Sequence, residues 1–193
     1  SHAISLEPYK GDLEFVNNMG LAHRIDEDPN IANLEMHHSH YSYHLSVDLD
    51  KVGVDDNVVL PVEERISRVQ QLLEILKILN RNIKGRRENL SPVFVIGGIY
   101  PLSNPIFMGR LQMRSGTAGW LIAASPLQDA LNTTWGGKPV RSSTHVGLVS
   151  GVFANEAELR DLFGDVNNIE EFFQTVRKEV AEAAARQMEE LAY

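Results

Sequence analysis

A histidine cluster has the residue types and the spacing for metal binding or acid–base chemistry. Its four members lie within eight residues of one another: His37, His38, His40 and His44. Two histidines two positions apart on a strand point the same way and can share a metal, with Glu35 or Asp48 as a third ligand. The same alternation also suits the polar face of a half-buried strand, and imidazoles stack on bases. The pattern favours a polar sheet face, with RNA contact by His38 and His40, or a metal-dependent hydrolase, as alternatives.

A basic run is the second candidate site. Four of the seven residues 81–87 are cationic, namely Arg81, Lys84, Arg86 and Arg87. Gly85 lets another backbone approach closely, which suits a loop that grips phosphate. Cations also stabilise a helix C-terminus, where one or two would suffice. The run therefore favours an anion-binding loop, with weaker companions at Arg110, Arg114, Lys138 and Arg141.

The charge distribution supports a local anion-binding surface. The chain has 193 residues and a formal net charge of −8, which by itself opposes phosphate binding. Residues 81–141, however, hold 8 Lys and Arg against 2 Asp and Glu, between acidic segments on either side. A basic middle between acidic ends suggests a local contact surface, or ends that meet basic neighbours. The alternative is a folded surface on which these charges intermix.

Templates for catalysis fail on inspection. Residues 135–139 (WGGKP) lack the upstream glycine and the Ser or Thr of a phosphate-binding loop. Residues 147–151 (GLVSG) place the serine one position late for a nucleophile elbow. The chain has no cysteine, which excludes disulfides and thiolate ligands. We therefore expect no enzyme activity, no cofactor and no bound metal.

Hydrophobic periodicity predicts the elements of a single α+β domain. We expect a strand over 37–50, an amphipathic helix of roughly five turns after Pro61, and strands over 93–100 and 145–152. Residues 24–33 and 101–141 read as loops, the latter with short strands. Asn155 and Glu158 have capping-box spacing ahead of a helix ending near Gly164. A last helix over 168–191 has an apolar side that must dock, on this chain or on a neighbouring subunit.

No 18-residue apolar run and no signal pattern at the start of the chain can be found, so we expect a cytoplasmic protein.

Residues 3–12 (AISLEPYKGD), residues 43–53 (YHLSVDLDKVG) and the long helix with its basic exit loop carry a resemblance. Together they resemble the DevR-type CRISPR Cascade backbone family, the seventh Cas family, of a type I-B-like system. The resemblance spans residues 3 to 110. It implies a non-catalytic CRISPR RNA-binding backbone subunit of a type I surveillance complex for antiviral defence. The partners it implies are the guide RNA, target DNA through the guide, other Cascade subunits and further copies of the chain.

The resemblance also implies a fold and a set of contacts. The fold is an RNA-recognition-motif, ferredoxin-like sheet with helices on one face and loop insertions, as a single domain over 1–193 with a C-terminal helical segment over 155–193. The expected RNA-binding residues are Arg81, Lys84, Arg86, Arg87, His38, His40, Lys10 and Arg110. Family members begin with a strand and a helix ahead of the part that matches Ala3, so we expect an open sheet edge that pairs with another chain.

Overall fold

The computed structural model describes residues 3–17, 31–83 and 85–191. By its internal contacts the chain divides into two compact units, Ser1–Tyr43 and His44–Tyr193. Most of the predicted loop over 24–33 lies outside the described residues, and its last three residues belong to a strand instead. The described part is α+β. The assignment of 1–193 to one domain stays a prediction.

The described residues of the first unit form two antiparallel strand pairs. Strand β1 (Ile4–Ser5) pairs with β4 (Tyr41–Ser42), and β2 (Asp12–Asn17) pairs with β3 (Ile31–Met36). The strand predicted over 37–50 is wrong, because only its residues 41 and 42 are paired. His37 hydrogen-bonds to Ser5 and to the backbone of Lys10, and His40 hydrogen-bonds to Glu7, so these two side chains do not line one face of a longer strand.

The second unit contains the four α-helices of the described residues and most of the strands. The helices are α1 (Val62–Lys77), α2 (Ala124–Asn132), α3 (Glu156–Phe163) and α4 (Ile169–Leu191). Four antiparallel hairpins pair β5 (Val54–Asp55) with β6 (Val58–Val59), β7 (Asn80–Ile83) with β8 (Arg86–Asn89), β10 (Met113–Gly116) with β11 (Gly119–Ile122), and β12 (Thr134–Trp135) with β13 (Lys138–Pro139). A 3₁₀ helix spans Val140–Ser143.

A three-stranded sheet lies at the centre of this unit. Its strands are β9 (Phe94–Gly97), β14 (His145–Leu148) and β15 (Val166–Asn167), in the order β15-β14-β9. Strand β14 runs antiparallel to β9 and parallel to β15. Because successive side chains point to opposite faces, Val95 lies on one side of the sheet and Phe94 and Ile96 on the other.

Helices α1 and α4 cover the Val95 side of the sheet. Phe172, Phe173 and Val176 of α4 are buried there, packed against Leu73, Leu76, Val95 and Ile169. Gly147 of β14 permits this contact, because a Cβ at that position would lie 2.8 Å from the Cβ of Phe172. The apolar side of the last helix therefore docks, over residues 172–180, on its own chain.

The opposite side of the sheet is covered as well. Phe94 and Ile96 pack against a buried cluster whose members come from β11, α2, β14 and α3: Ile122, Leu127, Leu131, Leu148 and Leu159. The resemblance implies helices on one face of the sheet, whereas in the described residues α2 and α3 contribute to a cluster that covers the other face as well. Helix α2 was not predicted, because it lies in the segment 101–141, whose Gly, Pro, Ser and Thr content indicated loops with short strands. Its Pro126 lies in the first turn, where proline is tolerated.

Two helix predictions can be compared with the observed ends. The helix after Pro61 is confirmed, with Pro61 directly before it and two glutamates in its first turn. The helix predicted to end near Gly164 is also confirmed, and Gly164 adopts a positive φ of 79°. Its expected capping box is wrong: the Asn155 side chain makes no capping hydrogen bond and contacts β11 instead. No described helix has the length and apolar character needed to cross a membrane.

Candidate functional site

The basic run forms a hairpin and not the loop that the sequence predicts. Strands β7 and β8 pair with Arg81 opposite Glu88, Asn82 opposite Arg87 and Ile83 opposite Arg86. Gly85 lies in the turn with a φ of 82°, a backbone conformation that residues with a Cβ adopt only at a steric cost. Lys84 lies outside the described residues. The hairpin gives the arginines fixed positions along two paired strands.

The hairpin arginines project into solvent. Arg81, Arg86 and Arg87 are all exposed. Within the described part of the chain no carboxylate lies within ion-pair distance of any of them. Since opposed residues share a face, Arg81 and Arg86 project from one side of the hairpin and Arg87 from the other. The hairpin therefore offers positive charge on both sides.

A role in stabilising the C-terminus of α1 does not fit these arginines. Helix α1 ends at Lys77, and the effect of its dipole falls off within the last turn. Lys77 is the cation in that turn, and its Nζ lies 2.9 Å from Glu74 and 2.8 Å from Glu170. Arg81 and the later arginines lie beyond it, on separate strands. Their positions favour the anion-contact interpretation of the run.

The weaker basic companions have different environments. Arg110, Arg114 and Lys138 are exposed, the last two on short hairpins. Arg141 donates a hydrogen bond from Nη1 to the carbonyl of Leu162 at 2.7 Å, so its guanidinium group joins two segments of the fold. Lys10 is exposed too, but it belongs to the first unit.

His40 is held by an acidic partner. Its Nδ1 lies 2.9 Å from Oε1 of Glu7, and its backbone N–H donates to the same oxygen at 2.9 Å. Burial alone would raise the pKa of Glu7, but the hydrogen bonds from His40 outweigh it and hold that pKa below its usual value. Of the two histidines expected to contact bases, His38 is exposed and His40 is half-buried against Glu7, and RNA contact by either stays a prediction.

His37 is engaged at both ring nitrogens. Its Nε2 lies 3.1 Å from Oγ of Ser5, and its Nδ1 lies 3.2 Å from the carbonyl oxygen of Lys10. Ser5 also hydrogen-bonds Ser39 at 2.7 Å. The spacing of the four histidines made His37 a candidate site residue. The partners of His37 are 27 and 32 residues away in the sequence, so local sequence could not predict them.

The histidines assemble no metal site in the part of the chain that the structure describes. No group of three His, Cys, Asp or Glu side chains there could hold a metal ion. His37 and His40 are committed to other partners, and His44 begins the second unit. The metal-dependent hydrolase considered for this cluster therefore has no ligand set among the described residues.

The described residues define an α+β protein that presents a basic hairpin and assembles no metal-binding group of its own. Residues 1–111 match the family described as CRISPR-associated negative auto-regulator DevR/Csa2. The chain belongs to that family, so the resemblance seen in the sequence is confirmed and the role of the protein is CRISPR-related. No curated protein and no solved structure shows significant similarity to it.

Proposed function

We propose that this chain is a non-catalytic CRISPR guide RNA-binding subunit in the backbone of a type I Cascade surveillance complex. Its partners are the guide RNA, target DNA through the guide, other Cascade subunits and further copies of itself, in the cytoplasm. Sequence specificity in such a complex comes from base pairing, so the protein has to hold the RNA backbone and leave the bases available. Membership of the family supports the CRISPR role, and the surface chemistry supports RNA as the ligand.

The observation that carries the proposal is the exposed hairpin with Arg81, Arg86 and Arg87. Guanidinium groups bind phosphate with several donors at once, and these three have no carboxylate partner among the described residues. Contacts to phosphate position a strand without reading its sequence. A backbone subunit that serves any guide needs contacts of this kind.

The fold supports an RNA-recognition-like arrangement with one difference. Helix α1, strands β9 and β14 and helix α4 follow one another in the order expected for the α-β-β-α core of a ferredoxin-like unit, with hairpins and the helices α2 and α3 between them, and both α1 and α4 pack on the Val95 side of the sheet. RNA-recognition motifs stack bases on the opposite side of their sheet. In this protein that side is covered by the cluster that includes α2 and α3. RNA contacts therefore have to come from hairpins and loops at the surface.

A salt titration tests the proposal. Changing Arg81, Arg86 and Arg87 together to Ala should weaken binding of single-stranded RNA alike for every sequence. For single strands the slope of log affinity against log salt is about −0.7 per phosphate neutralised, so three lost contacts should reduce its magnitude by about 2. The measurement is a fluorescence anisotropy titration of the protein with labelled RNA at several salt concentrations.

A second triple variant controls for net charge. Lys51, Arg68 and Lys178 are exposed cations outside the hairpin, and each is paired with a neighbouring carboxylate. Changing these three to Ala removes the same formal charge and should leave the salt slope close to that of the wild type. Equal losses in the two variants would show general charge attraction and would contradict a phosphate site at the hairpin.

A further inference from the structure

Three aromatic side chains of the first unit lie together and form the aromatic trio: the exposed Tyr9 and Tyr41 and the half-buried His37. The ring centroids of Tyr9 and His37 are 5.0 Å apart, and those of His37 and Tyr41 are 6.1 Å apart. The Tyr9 side chain is 62% exposed and that of Tyr41 43% exposed. Antiparallel pairing of β2 with β3 and of β1 with β4 brings these distant residues together. The two tyrosine side chains are thus exposed at defined distances from the half-buried ring of His37.

The polar atoms of the trio are already engaged. Ser5 and the backbone of Lys10 hold the two nitrogens of His37, and the Tyr41 hydroxyl donates to the carbonyl of His37 at 3.1 Å. The Tyr9 hydroxyl hydrogen-bonds the carboxylate of Glu35, and this bond raises the pKa of Tyr9. With its nitrogens occupied, His37 suits neither metal ligation nor proton transfer. What the trio offers a ligand is its ring faces.

Gly11 is part of this arrangement. A Cβ at Gly11 would overlap the Tyr9 hydroxyl and lie 2.8 Å from Oε1 of Glu35. The glycine thus leaves the space in which the Tyr9 ring and its carboxylate partner meet. The ring is therefore positioned before any ligand arrives, which reduces the entropy that binding has to offset.

We propose that the aromatic trio is a stacking surface for unpaired bases of single-stranded RNA, with the exposed Lys10 beside it for a phosphate. The proposal rests on the proposed RNA-binding function and adds a base contact that the basic hairpin cannot make. Aromatic side chains bind single strands by stacking, and they tolerate any sequence because every base has a π-face. Engaged polar atoms and exposed ring faces match that chemistry, and the neighbouring lysine matches the RNA backbone.

The test compares two probes that carry the same phosphates. One is a single-stranded RNA, and the other is a length-matched oligonucleotide with abasic sites. Wild type should bind the abasic probe more weakly. Stacking is worth about 1–3 kcal/mol per base, so Tyr9→Leu or Tyr41→Leu should each lower RNA affinity by about 5- to 150-fold. Neither change should alter affinity for the abasic probe or the salt slope. Tyr9→Phe and Tyr41→Phe keep the rings and should bind RNA like wild type.

Three other outcomes would contradict the proposed stacking surface, and each has its own observable result. If the leucine variants fold, as judged by circular dichroism, and bind RNA like wild type, bases do not stack there. If they alter only self-association measured by light scattering, the trio is a protein contact. If wild type binds both probes equally, no base contact exists, and this arm requires no variant. In all three cases the triple arginine variant still tests the phosphate contacts. Absence of RNA binding by wild type would remove the proposed function together with this inference.

Discussion

Lys77 Nζ lies 2.8 Å from Oε2 of Glu170 and so joins the last turn of α1 to the first turn of α4. Lys77 also contacts Glu74 of its own helix, and Arg177 of α4 forms an ion pair with the same carboxylate. Two cations and two anions therefore connect the two helices that cover one side of the sheet. The Lys77 side chain is 17% exposed, so its aliphatic part is largely buried between them.

This connection predicts a pH-dependent stability. The hydrogen bond from Lys77 is the largest cause that lowers the pKa of both Glu74 and Glu170. A carboxyl whose pKa is lowered in the folded state stabilises the fold at pH values above its ordinary pKa of 4.5. This contribution is lost as the pH falls through the lowered pKa. The pKa of Lys77 is raised, chiefly by its hydrogen bond to Glu170. The stability that Lys77 contributes is therefore present below pH 10.5, its ordinary pKa, and is lost as the pH rises through the raised pKa.

Lys77→Met keeps the buried stem and removes the charge. We expect its free energy of unfolding in urea to fall less steeply than that of wild type between neutral pH and acid, because both carboxyls lose the largest cause that lowers their pKa values. The measurement is a series of urea unfolding curves on both proteins across this range. Parallel pH profiles would contradict the role given to Lys77.

Glu88 predicts a gain of RNA affinity. It is the one acidic residue in the basic hairpin and lies opposite Arg81. Glu88→Gln removes its repulsion of phosphate, and exposed charge interactions are worth about 0.2–1 kcal/mol, so RNA affinity should rise by about 1.5- to 5-fold at low salt. Glu182→Gln removes an exposed carboxylate on α4 and serves as the matched control. Anisotropy titrations in which the two variants gain equally would point to net charge alone.

Gly147 predicts a packing defect. An alanine there would place its Cβ 2.8 Å from the Cβ of Phe172 and 3.1 Å from Cγ1 of Val95, and overpacking of this kind costs about 1–3 kcal/mol. Gly97 lies in the neighbouring strand, and the nearest atom to its added Cβ is Phe172 Cζ at 4.0 Å. Gly97→Ala should therefore change the free energy of unfolding by less than about 1 kcal/mol. Thermal and urea unfolding of both variants would show whether α4 packs as closely as described.

Replacing Asn155 should show the cost of leaving the backbone groups of Ile122 without a hydrogen-bond partner. Its amide accepts a hydrogen bond from the Ile122 N–H at 3.1 Å and donates one to the Ile122 carbonyl at 2.8 Å. Asn155→Leu leaves two polar groups of a buried residue unsatisfied, at about 1–3 kcal/mol each. A capping box would have Glu158 accept from the Asn155 backbone N–H, whereas the exposed Glu158 accepts from the Asn155 side-chain Nδ2 at 2.8 Å, a bond that a glutamine oxygen can also accept. Glu158→Gln should therefore cost less than about 0.5 kcal/mol in urea unfolding.

The sequence determined the features that depend on neighbouring residues. Helix α1 and helix α4 were predictable because their apolar residues repeat at helical spacing, which requires no knowledge of partners. The concentration of cations at 81–87 is likewise a local property, and short ordered motifs were enough to recognise the family. Helix α2 also had a local signal, with Leu127, Ala130 and Leu131 at helical spacing, but the loop-like composition of residues 101–141 outweighed it in the prediction.

Only the tertiary structure decided which side chains are free to act. His40 pairs with Glu7, 33 residues away in the sequence, and Lys77 pairs with Glu170, which is more distant still. No rule based on local spacing could predict either pair. The covering of both sheet sides depends on how buried clusters assemble from distant segments. Helices and clusters of charge can be predicted from local sequence because the interactions that determine them involve residues close together in the chain. Pairing, burial and access depend on contacts between distant segments, and these left the hairpin arginines exposed while engaging both ring nitrogens of His37 and Nδ1 of His40.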